Sequence, residues 1–106
     1  MSALGTEFKF GVRVSQIDGV HLEDCDFEVS VYVYTNKSVL YKKSDDKHVK
    51  KMDEDSYKII VTSDDALKIG RGRVLATLTI HIPDGDFEDG YRTEVYDKLD
   101  TQWVIM

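Results

Sequence analysis

Between Val74 and Ile82 the chain alternates without a break. Val74, Ala76, Leu78, Ile80 and Ile82 fall on one side of an extended backbone, and Leu75, Thr77, Thr79 and His81 fall on the other. A period of two is the pattern of a strand with one strongly buried face. Pro83 ends the run, because a ring nitrogen cannot donate to a sheet ladder. Asp84-Gly85-Asp86 and Asp89-Gly90 supply turn chemistry, and a second extended run follows to Met106. This is the closing end of a small β-sandwich, and it carries no recognisable chemistry of its own.

The rest of the chain repeats the pattern. Thr6–Ser15 reads as a strand with Phe8, Phe10, Val12 and Val14 inward. Asp26–Thr35 follows with Phe27, Val29, Val31 and Val33 inward and Glu28, Ser30, Tyr32 and Tyr34 outward. Ser38–Lys43 and His48–Asp53 are short strands, expected to form a hairpin around Ser44-Asp45-Asp46. Tyr57–Thr62 places Tyr57, Ile59 and Val61 on one face. Then Ser63-Asp64-Asp65-Ala66-Leu67-Lys68-Ile69-Gly70 predicts one or two helical turns: Ser63 can cap, two Asp residues suit the N-terminus, and Gly70 suits the end. Arg73–Ile82, Tyr91–Asp97 and Thr101–Ile105 complete the set.

Seven or eight short strands joined by turn residues predict an all-β fold, an antiparallel β-sandwich in a single domain spanning 1–106. A helical turn between two late strands occurs in immunoglobulin-like domains, where it crosses between sheets. Antibody-type domains also carry a Cys…Trp…Cys core. Cys25 has no partner and Trp103 falls in the last strand, so the likeness is one of architecture.

Composition narrows the function classes. Charged residues make up 32% of the chain, and no apolar run approaches the ~18 residues of a transmembrane helix. The opening MSALGTEF lacks a basic segment followed by an apolar one, so no secretory leader is expected. The net charge of −6 disfavours general attraction to nucleic acid. Lys42, Lys43, Lys47, Lys50 and Lys51 place half of the ten lysines within ten residues. They are broken by Asp45 and Asp46 and lack interleaved aromatics, which suits a solvated strand edge or a docking patch for an acidic protein better than a nucleic-acid surface.

Three constellations have the composition of chemical sites. Asp84, Asp86, Glu88 and Asp89 put four carboxylates into six residues, like a calcium loop. An EF-hand, however, needs a glycine sixth and a carboxylate twelfth, where this chain has Asp89 and Val95. His21, His48 and His81 share no metal-ligand spacing. Gly70-Arg71-Gly72-Arg73 lacks the Lys-Ser/Thr pair and following helix of a P-loop. Cys25 has His21 four residues away, a spacing without fixed geometry in a loop, and reads as a small apolar residue. Asn36-Lys37-Ser38 matches a glycosylation sequon but reads as a turn. No catalytic residue, metal ligand or cofactor-binding residue is assigned.

What remains is surface. Tyr32 and Tyr34 stand together on the outer side of the second strand, Leu75 lies on the equivalent side of its own strand, and Val104 and Met106 oppose Trp103 and Ile105. Tyrosine is enriched where proteins meet, so these five are the expected interface residues, with a second subunit as the simplest cover.

One resemblance bears on setting. Ser63-Asp64-Asp65-Ala66-Leu67, Ile69-Gly70-Arg71-Gly72-Arg73-Val74-Leu75 and Ile82-Pro83-Asp84-Gly85-Asp86-Phe87-Glu88-Asp89-Gly90-Tyr91-Arg92 are similar to segments of small β-sandwich virion proteins of tailed phages and prophages of Bacteroidetes. The likeness covers about residues 57–106 and consists of turn patterns. It implies a non-enzymatic structural component of a phage particle, either a capsid-surface decoration or head fibre, or a tail or baseplate module. Such a protein would form a homo-oligomer, contact other virion proteins, and assemble in bacterial host cytoplasm. The competing expectation is a carbohydrate-binding β-sandwich module, using Tyr32, Tyr34, Tyr91, Tyr96 or Trp103 as stacking platforms. A small hydrolase ranks third.

Overall fold

A computed structural model describes residues 3–14, 19–34 and 37–106. Its elements run β1 (Phe8–Arg13), a 3-10 turn at Leu22–Asp24, β2 (Asp26–Tyr32), β3 (Val39–Lys42), β4 (Val49–Asp53), β5 (Ser56–Val61), α1 (Ser63–Ile69), β6 (Gly72–Pro83) and β7 (Tyr91–Ile105). The strands form two antiparallel sheets, ordered β1-β5-β4 and β3-β2-β6-β7. The chain is therefore the all-β sandwich that its alternation predicts.

The inward residues do what their periodicity requires. Val29, Val31, Ile59, Val61, Val74, Ala76 and Ile80 are fully buried, and Phe8, Val12, Phe27, Leu78 and Ile82 nearly so. Phe27 of one sheet meets Tyr57 of the other edge-on, with ring centroids 4.8 Å apart. Each such aliphatic or aromatic side chain contributes about 1.5–3 kcal/mol on burial, so this shared layer dominates the stability.

α1 carries the chain from one sheet to the other, as in immunoglobulin-like sandwiches. Asp64 and Asp65 sit in its first turn, where they complement the helix dipole. Gly70 ends it at φ 86, a left-handed conformation that a Cβ would disfavour. The N-cap residue is Thr62, not Ser63, and its side chain makes no capping bond. The Ser63 N–H instead donates to Glu7 Oε2 at 3.2 Å, a cap supplied from the far end of the chain. Tyr41 of β3, 2% exposed, donates its hydroxyl to Asp65 Oδ2 at 2.8 Å and so moors the helix to the sheet edge. Burial first, and then the Asp65 bond, push the Tyr41 phenol far above its ordinary range.

Three expectations need correction or refinement. β3 and β4 do not form a hairpin: β3 pairs with β2 and β4 with β5, so Lys43–His48 is a crossover between sheets. A tyrosine and a valine that both need burial, Tyr41 and Val49, end up in different sheets. The two expected final strands are one 15-residue strand, β7. The irregular stretch between them is absorbed by register shifts against β6 and by left-handed residues Lys98 (φ 57) and Gln102 (φ 68), the geometry of β-bulges. Third, antibody constant domains place their second strand between the first and fifth, whereas β2 here lies between β3 and β6. The expected ends of the first two strands, Ser15 and Thr35, and Asn36 of the sequon lie outside the described residues. Among the described residues no helix is long and apolar enough to cross a membrane.

Candidate functional site: the outer face of the four-stranded sheet

Each strand of the β3-β2-β6-β7 sheet sends alternate side chains away from the core, and the pairing register sets them in rows. Lys42, Glu28, Thr79 and Val95 form one row, and Leu40, Ser30 and Thr77 the next. Tyr32 lies directly across from Leu75, which lies across from Asp100. Val104 faces Arg73, whose guanidinium meets Asp100 at 3.0 Å.

A small polar knot fixes the tyrosines. Tyr32 donates its hydroxyl to Asp97 Oδ1 at 3.1 Å, and Thr77 donates to the same oxygen at 2.6 Å. The Thr77 bond, aided by the Lys98 backbone N–H, holds the Asp97 carboxyl below its ordinary value. Partial burial and the neighbouring Asp97 raise the Tyr32 phenol. Tyr34 packs edge-on against Tyr32, centroids 6.3 Å apart, and is 69% exposed. Thus Tyr32, Tyr34, Leu75 and Val104 do gather on one face. Their accessibility differs: Leu75 is 6% exposed and already covered, Val104 is half-buried, and Met106 is exposed just past the end of β7. Leu40 and Val95, which sequence reasoning did not include, stand exposed on this face because β3 and β7 are its outer strands.

The other singled-out residues are dispersed. Each histidine has its own carboxylate: His21 with Asp55 (3.2 Å), His48 with Asp45 (2.8 Å) and His81 with Glu28 (3.9 Å). Asp84 and Asp89 accept from turn N–H groups of Asp86 and Tyr91, and Arg92 lies 3.9 Å from Asp84. Cys25 is buried, and its thiol contacts the His21 carbonyl rather than the imidazole; burial pushes its pKa up. The lysines are divided as well. Lys43 donates to the Glu23 and Cys25 carbonyls at 2.6 and 2.7 Å, closing the 3-10 turn, and Lys51 pairs with Glu23. The aromatics proposed as sugar platforms form no common plane. Tyr91 projects outward from β7, Tyr96 shares the inner-facing side with Leu78, and Trp103 stacks on Phe8.

Two groupings escaped sequence reasoning because both join distant segments. A cleft of about 480 Å³ runs between β1 and β7, lined by Phe10, Val12, Val14, Leu78, Tyr96 and Leu99 among others. His21, Glu54 and Asp55 bring one ligand atom each within 4.8 Å of one another, a set able to hold a divalent cation. The Asp55 hydrogen bond, with Glu54 nearby, raises the His21 pKa from 6.5 and so favours the charged imidazolium over a metal-ligating imidazole at acidic pH.

The architecture thus defines a class, an all-β sandwich with an uncovered, aromatic-bearing sheet face. No protein-family model matches the chain, and no curated protein or solved structure shows detectable similarity to it.

Proposed function

We propose that this chain is a non-enzymatic structural module that acts through protein–protein contacts, and that its setting is a phage particle, as a capsid-surface decoration, head fibre or tail module. The contact reading rests chiefly on one observation: Tyr34, Leu40 and Val95 are 69%, 52% and 59% exposed on one sheet face. A tyrosine held edge-on by a hydrogen-bonded neighbour is a preorganised contact, losing little side-chain freedom when a partner covers it. The phage setting rests on the turn patterns of residues 57–106. Partners are therefore other virion proteins and further copies of this chain.

The test is co-sedimentation of the purified chain with heads and tails assembled from the structural proteins encoded beside it. The parent should pellet with one of them, and the variant combining Tyr34→Ser with Val104→Ser should remain in the supernatant while retaining its melting temperature. A parent that pellets with neither, or a variant that pellets like the parent, overturns the reading. Saturable glycan binding by a strict monomer would replace it with the carbohydrate-binding one.

A further inference from the structure

Sheet edges expose rows of unpaired N–H and C=O groups, and soluble proteins blunt them. Three of the four edges here are blunted. β3 has only four residues and ends on Lys42. β4 carries exposed Lys50 and Lys51. β1 is closed by a side chain, since Trp103 Nε1 donates to the Lys9 carbonyl at 3.1 Å. The fourth edge, the first half of β7, carries the inward-pointing pair Arg92 and Glu94, but among the described residues no lysine of its own and no side chain of another element closes it.

The phase of its hydrogen bonding is fixed. The Asp84 N–H donates to the Gly90 carbonyl at 2.8 Å. In an antiparallel ladder bonded pairs recur at every second residue, so Ile82 with Arg92 and Ile80 with Glu94 exchange bonds. Tyr91, Thr93 and Val95 then turn their backbone groups to the open side. The Tyr91 N–H is taken by Asp89 Oδ1; among the described residues the N–H groups of Thr93 and Val95 meet no protein acceptor. The Tyr91 and Val95 side chains are 45% and 59% exposed.

We propose that β7 is the seam of a two-fold symmetric homodimer, in which two copies pair antiparallel about Thr93 and join their sheets into one of eight strands. Charge complementarity names the occupant. With Thr93 opposite its own copy, Arg92 faces Glu94 of the second copy and Glu94 faces its Arg92, both on the inner side. Tyr91 faces Val95 on the outer side, an aromatic against a β-branched residue. Within one chain Arg92 already meets Glu94 at 2.5 Å, so the two copies would build one alternating array of four charges. Sliding the pairing by one ladder step in either direction sets Arg92 against Arg92 or Glu94 against Glu94, which like-charge repulsion disfavours. The register is therefore self-specifying, as an isologous interface requires. This inference rests on the backbone edge of β7 and its Arg92–Glu94 pairing, shares only Val95 with the contact face proposed above, and does not depend on the phage setting.

The test is solution mass by sedimentation equilibrium on the full chain and on two charge variants. The parent should dimerise. Arg92→Glu alone and Glu94→Arg alone each set like charges across the two-fold and should weaken dimerisation by about tenfold or more, while an equimolar mixture of the two should regain parental association because opposite charges again face each other. The mixture keeps the outcome readable even if either variant is somewhat less stable, since both must fold to associate. A parent monomeric up to about 1 mM, or single variants that dimerise as well as the parent, overturns the proposal. So does a mixture that fails to regain association while both variants show the parental circular dichroism spectrum.

Discussion

β1 and β7 border the same open side of the sandwich, yet they meet solvent in opposite ways. At β1 the exposed carbonyl of Lys9 is covered by the Trp103 indole, whose ring also stacks on Phe8 at 5.2 Å. At the first half of β7, Thr93 and Val95 present N–H groups that no described residue accepts from, between exposed side chains. One strand does both jobs. The last residues of β7 fold across to seal β1, and the bulges around Lys98 and Gln102 provide the bend that takes them there. Its first residues stay straight and unsealed. An edge is thus protected by what the chain's bends let its neighbours reach, and not by the edge strand's own residues alone.

Trp103→Ala attacks this contrast most directly. It removes a ring packed on Phe8 and the donor to Lys9, and should cost about 3 kcal/mol, at the low end for a tryptophan because the ring is partly exposed. The denaturant midpoint checks this, and the bared β1 edge should add association beyond the parent's dimer, seen as species larger than two copies at high concentration. Trp103→Phe separates the two contributions: the stacking stays, the hydrogen bond goes, and the loss should be about 1 kcal/mol. A loss as large as that of the alanine variant would mean that the Lys9 bond, not the packing, holds the edge closed.

At the other edge Val95→Lys should shift stability by less than about 0.5 kcal/mol, since the side chain is 59% exposed. It should nevertheless depress dimerisation, as a charged edge residue does. Equal effects on stability from Val95→Lys and Trp103→Phe would erase the distinction between a sealed and an open edge.

The smallest expected effects concern pH, and they have opposite signs in the two regions. Asp97 and Glu94 of β7 have folded pKa values held below 3.8 and 4.5, by the Thr77 bond and by the Tyr96 and Arg92 bonds respectively. Their contribution is present above those ordinary values and is lost as pH falls through the folded ones. His21, beside the β4–β5 turn, has its pKa raised above 6.5 by Asp55. Its contribution is complete below 6.5 and is lost as pH rises through the higher folded value. Melting temperature should therefore be greatest between about 4.5 and 6.5 and should slip slightly on either side. His21→Asn should flatten the alkaline slope and leave the acid one; an unchanged alkaline slope would remove His21 from this account.

The amino-acid sequence by itself determined the strands and their inward faces. Alternation acts locally: Val74, Ala76, Leu78, Ile80 and Ile82 must share a side whatever they pack against, and all are buried. Capping chemistry acts locally too, so Asp64, Asp65 and Gly70 marked α1, while its actual cap, Glu7, lay too far along the chain to be read. Proximity in sequence misled where two short strands suggested a hairpin, because β3 and β4 gain more by pairing with β2 and β5, whose inner faces they extend. The bulges that make β7 continuous depend on its fit against β6. The gathering of Tyr32, Tyr34 and Asp97, and the placing of Trp103 over Lys9, likewise required a closed sandwich. Periodicity tells a residue which way to face; only the pairing of distant strands decides what it faces and which edge is left open.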